Sequence, residues 1–167
     1  LPLPRLWPIK SAVAKTPFVM MNLLVGLYWF DEALESALKQ HGYRAMGRQR
    51  SLVMMNLAIG ETRPSRIARN LGITRQAMSQ LIAQMEARGL VVVRPDPADG
   101  RAKIVGFSPK STKIRDTAMK ALSEFEAVLG ERIGVGRLND LRAALAVDWG
   151  PVPTEVPVRR ARPRLVS

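Results

Sequence analysis

Arg75, Gln76, Ser79 and Gln80 recur at intervals that put them on one side of a helix running from Thr74 to about Arg88. Their shared chemistry is hydrogen bonding to nucleic acid: a glutamine amide matches the donor–acceptor edge of adenine, and an arginine fork matches guanine or a phosphate. Met78, Leu81, Ile82 and Met85 make the opposite side apolar, so this helix has one face to bury and one to offer. Upstream, Ser65, Arg66, Arg69 and Thr74 join the candidate DNA-binding set, Arg66 and Arg69 with Arg75 as phosphate contacts that set register. Downstream, Arg94, Arg101 and Lys103 flank Asp96 and Asp99. A basic hairpin beside a recognition helix can lay an arginine in the minor groove, and Arg101 is the residue expected there. Asp99 is expected to hold the hairpin through a local ion pair, which sets orientation more than stability.

The elements that must position these side chains follow from turn and capping signals. Pro64 suits the first turn of a helix, Gly72 ends it, Thr74 caps the next and Gly89 stops that one in turn. Ala68 lies four residues before Gly72 and Met78 six after it. That is the helix-turn-helix arrangement: a small residue where two helices cross, a glycine for the left-handed turn, and an apolar residue locking the second helix to the first. Leu90 to Arg94 and Ala102 to Phe107 are rich in valine and isoleucine and predict a β-hairpin, a wing, with a loop of about six residues. Before this lobe, Phe18 to about Lys39 predicts a helix stopped by Gly42, and Leu52, Val53, Met55 and Leu57 mark a short core helix. After it, residues 111–129 carry a broad apolar stripe, and Leu138, Leu141 and Leu145 mark a shorter closing helix.

The expected fold is therefore mainly α, a winged helix-turn-helix with a small β-hairpin wing and an all-helical dimerisation region. Its expected divisions are an extended proline-rich arm (1–17), an N-terminal dimerisation helix (18–43), the DNA-binding lobe (44–108), C-terminal dimerisation helices (109–150) and a disordered basic tail (151–167). The first half of the first helix is apolar nearly all round, and a second subunit is the economical cover.

Composition narrows the function. The chain has 167 residues, enough for one domain with appendages, and a net charge of +12 concentrated in residues 44–107 and at both tips. A polyanion is the default partner of such a surface, because each neutralised phosphate releases counterions. Cysteine is absent, which removes disulfides, thiolate metal sites and thiol redox sensing. The lone histidine, His41, reads as a helix-end residue, and no metal or cofactor is expected. Scattered acids and the lack of a glycine-rich phosphate loop after a strand argue against an enzyme. The apolar run from Phe18 to Phe30 is too short to span a bilayer and follows no cleavable leader, so a cytoplasmic protein with no membrane partner is expected.

The long apolar first helix, the segment LGITRQAMSQLIAQMEARGLV, the wing DPADGRAKIVGFSPK and the two closing helices together resemble the multiple-antibiotic-resistance regulator (MarR) family over about residues 18–147. The resemblance implies a bacterial homodimer whose first and last helices interlock and whose two lobes read a pseudo-palindromic operator in double-stranded DNA. It also implies release from DNA by a small aromatic or phenolic ligand, for which Tyr28, Trp29, Phe30, Met54 and Met55 are the candidate pocket residues, with plain core packing as the competing account. The family's wing reads Asp-Arg-Arg, whereas this one reads Asp99-Gly100-Arg101, one basic contact fewer. The favoured function is a repressor acting by promoter occupancy. The alternatives are an architectural or ligand-independent DNA binder of low selectivity and a protein-interaction module that kept the winged fold.

Overall fold

Left-handed glycines punctuate the helices as the sequence predicts, and the helix-turn-helix is the plainest case. The computed structural model describes residues 18–154; the expected arm (1–17) and the tail from 155 onward lie outside the described residues. Helix α1 (Val19–Gln40) is followed by α2 (Arg48–Ala58), α3 (Pro64–Leu71) and α4 (Arg75–Ala87). Strands β1 (Val91–Asp96) and β2 (Asp99–Phe107) form one antiparallel pair, and after a short 3-10 turn come α5 (Thr112–Ile133) and α6 (Val135–Ala146). Gly72 ends α3 at φ +65°, with its own N–H donating to the Arg69 carbonyl and the Ile73 N–H to the Ala68 carbonyl, the paired bonds of a Schellman cap. His41 Nδ1 lies 2.9 Å from the Ala37 carbonyl at the end of α1, the helix-end role expected of it.

Two boundaries differ from the sequence reading. The wing strands are longer than the expected 90–94 and 102–107, and Asp96 pairs with Asp99 across a connection of only Pro97 and Ala98. Pro95 does not break the strand because a two-stranded hairpin has a free edge on each strand, where a missing N–H costs no ladder bond. An irregularity between Pro95 and Asp96 absorbs the register change, and Asp96 Oδ1 accepts from the Ala98 N–H at 2.9 Å to close the turn. Helix α5 also runs past residue 129, because Gly130 stays helical and the stop is Gly134 at φ +94°.

The chain divides into two compact units at residues 128 and 129. In the first, Val53, Ile67, Met78, Met85, Val91 and Val105 are fully buried, and they draw α2, α3, α4 and both strands into one core. Ala68, 2% exposed, occupies the crossing position that demanded a small residue. The N-terminal half of α1 contributes little to this core: Phe18, Val19, Met20, Met21 and Leu24 are exposed. In the second unit, Leu138 is buried and approaches Gly130, whose missing side chain leaves the room it uses. Among the described residues no helix is long and apolar enough to cross a membrane.

Candidate nucleic-acid interface

Thr74 opens α4 as its N-cap, with its side-chain oxygen accepting from the Ala77 N–H at 3.1 Å. That bond fixes the end of the helix from which the candidate base-reading residues project. Met78, Leu81, Ile82 and Met85 face the core, while Arg75, Gln76, Ser79 and Gln80 are all exposed. The hydroxyl of Ser79 donates to the Arg75 carbonyl at 3.0 Å, so toward a ligand its oxygen is left to accept. Arg75, Gln76 and Gln80 have their full donor sets toward solvent.

Further DNA-binding candidates lie on the neighbouring helix α3. Ser65, Arg66 and Arg69 are exposed on α3, with Arg66 lying 3.7 Å from Glu61. On the wing, Arg94, Arg101 and Lys103 are exposed, and the register sets Pro95 opposite Lys103. Asp99 does not form the expected ion pair; its Oδ1 accepts from the Arg101 backbone N–H at 3.1 Å and shapes the strand that carries Arg101.

The ion pair that anchors the wing involves Asp96 instead. Arg63, the N-cap of α3, places its guanidinium 2.8 Å from Asp96 Oδ2. The Ala98 amide first and the Arg63 guanidinium second hold the Asp96 carboxyl below its ordinary range, against burial, which pushes the other way. Two further bonds fasten the wing: the Val105 N–H donates to the Thr62 carbonyl at 2.9 Å, and the Val93 N–H donates to Glu86 on α4 at 3.1 Å. Arg63, Glu86 and Asp96 were missed as positioning residues because their partners lie far along the chain or on a backbone atom. The presence of two acids beside the wing arginines was the only hint.

Within the chain, the five candidate ligand residues all have packing neighbours. Tyr28 carries the Arg48 guanidinium over its ring at 4.3 Å, and Arg48 Nε donates to the buried Asp31 at 2.8 Å. Trp29 stacks edge-on against Phe30 and Phe125, with centroids 4.9 and 6.4 Å away. Met54 and Met55 are half-buried against the core. A cavity of about 500 Å³ lies elsewhere in the lobe and is lined by none of these five.

The MarR family model matches residues 46–102, the span from the start of the core helix to the tip of the wing. Over those residues the chain is similar to the MarR family. No curated protein sequence matches the chain. Solved structures match its fold: MarR in its apo form from E. coli is 15% identical, covering 80% of this chain and 100% of that one with a TM-score of 0.58. NadR in complex with 4-hydroxyphenylacetate is 19% identical, with coverages of 79% and 92% and a TM-score of 0.61. CouR from Rhodococcus jostii bound to p-coumaroyl-CoA is 23% identical, with coverages of 75% and 86% and a TM-score of 0.55. The winged fold that the MarR-family resemblance implied is thus the fold present.

Proposed function

We propose that this MarR-family protein is a dimeric, DNA-binding transcriptional regulator that represses by occupying a promoter and is released by a small aromatic or phenolic ligand. The observation that carries the proposal is the exposed polar face of α4, offered beside a basic wing that three tethers hold to the same lobe. Gln76, Ser79, Gln80 and Arg101 supply selectivity, and Arg66, Arg69 and Arg75 set register on phosphates. The exposed apolar strip at the start of α1 favours a second copy as its cover, and a two-fold dimer matches a pseudo-palindromic operator with half-sites about one helical turn apart. The ligand part is supported by the fold shared with NadR and CouR, which hold 4-hydroxyphenylacetate and p-coumaroyl-CoA.

Capture of genomic DNA by the purified protein, followed by footprinting of the enriched sites, tests the reading. A shared inverted repeat, bound far more tightly than random duplex and released by an aromatic acid, is the expected result. Equal, strongly salt-dependent affinity for every duplex would replace it with the architectural alternative.

A further inference from the structure

The 500 Å³ cavity noted above is lined by Arg44, Ala45, Arg50, Gln84, Ala87 and Arg88, three of them arginines and none acidic. Arg44 and Ala45 lie in the connection between α1 and α2, Arg50 in the first turn of α2, and the other three at the C-terminal end of α4. Gln84 lies one turn beyond Gln80 on α4, so this hollow adjoins the C-terminal end of the helix, about two turns past Arg75 and Gln76.

A guanidinium stays charged at any ordinary pH, so three of them around one hollow repel each other unless an anion relieves them. Their present partners are neutral. Arg50 donates to the Met46 carbonyl and to Gln84 Oε1, at 3.1 and 2.6 Å, while Arg88 reaches the Ala45 carbonyl at 3.3 and 3.4 Å. Arg50 Nε is shielded from solvent and has no hydrogen-bond partner, a donor whose desolvation is uncompensated. The acids that bond nearby segments are committed elsewhere: Glu35 to the Met46 and Gly47 amides and to Lys39, and Glu86 to the Val93 amide. The volume falls in the range of small-molecule sites.

We propose that this cavity binds a small, multiply charged oxyanion, a phosphate ester or a polycarboxylate, through Arg44, Arg50 and Arg88. None of the residues lining the site is a candidate DNA-binding residue, and the proposal does not rest on that set. Titration calorimetry of the full chain at about 0.15 M salt, with inorganic pyrophosphate in one arm, citrate in a second and benzoate in a third, tests it. Saturable binding of pyrophosphate or citrate, one per chain, with benzoate at least tenfold weaker, is expected, and the better of the two identifies the anion class. Arg44→Ala, a change at an exposed position that leaves the core intact, should weaken binding about tenfold or more, and Arg88→Ala likewise. Arg75→Ala and Arg101→Ala should leave it unchanged. Absence of saturable binding, benzoate binding as tightly as the polyanions, or sensitivity to Arg75 and Arg101 in place of Arg44 and Arg88 would overturn the proposal.

Discussion

Arg101 stands exposed on β2, with the backbone before it held by Asp99 and only glycine where the MarR-family wing has a second arginine. If it supplies the wing's minor-groove contact, Arg101→Ala should cost operator affinity roughly 1–3 kcal/mol, a tenfold loss or more, with the dimer unchanged. Wild-type affinity in an electrophoretic or fluorescence binding assay would remove Arg101 from the interface. Asp96 makes a different prediction. Its folded carboxyl is held below the ordinary value of 3.8, so its contribution to stability is complete above that value and is lost as pH falls through the folded one. The difference in melting temperature between wild type and Asp96→Asn should therefore be constant between about pH 5 and 8 and shrink below about pH 4. A difference that vanished near neutrality would contradict the Arg63–Asp96 anchor. These side chains were unequally legible: Gln76, Ser79 and Gln80 declare an outward face by helical spacing alone, whereas Arg63 and Asp96 are separated by a whole helix-turn-helix and no local pattern joins them.

At the scale of elements, the turn between α3 and α4 sets the angle at which the reading helix leaves the lobe. Gly72 adopts φ +65°, and a Cβ built there would meet nothing within 4 Å, so the penalty of a side chain is purely conformational. Gly72→Ala should lower stability by about 1–2 kcal/mol in urea unfolding without altering the packing of Met78. A neutral result would mean that the turn relaxes without its left-handed residue. Helix positions and the turn were readable because capping and glycine chemistry act over a few residues. The length of the wing strands was not, because Pro95 is a strand breaker only where both edges are paired, and edge status is a property of the folded sheet. Tyr28 and Trp29 show a related limit of local pattern: aromatic residues at helical spacing announce that they pack, without saying whether another side chain or a ligand fills the space beside them.

For the molecule as a whole, the proposed dimer joins two modest binding surfaces into one strong one, since the second lobe binds at a high effective concentration once the first is seated. Met20→Glu or Leu24→Glu, each placing a charge on the exposed strip of α1, should yield monomers by light scattering and lower operator affinity by about 10²-fold or more. Intact dimers in both variants would move the interface elsewhere. The charge balance of +12 made a polyanionic partner legible from composition, and the MarR-family match over residues 46–102 agrees with where that charge is concentrated. The three tethers that hold the wing to the helix-turn-helix carry a consequence for the target sequence. Because Glu86–Val93 pins the wing to α4, while Arg63–Asp96 and Thr62–Val105 pin it to the start of α3, α4 and the wing are held like the teeth of one comb, and the distance between the bases each would reach is fixed within a half-site. Genomic targets should therefore tolerate an inserted base pair at their centre of symmetry far better than one between the stretch read by α4 and the stretch touched by Arg101.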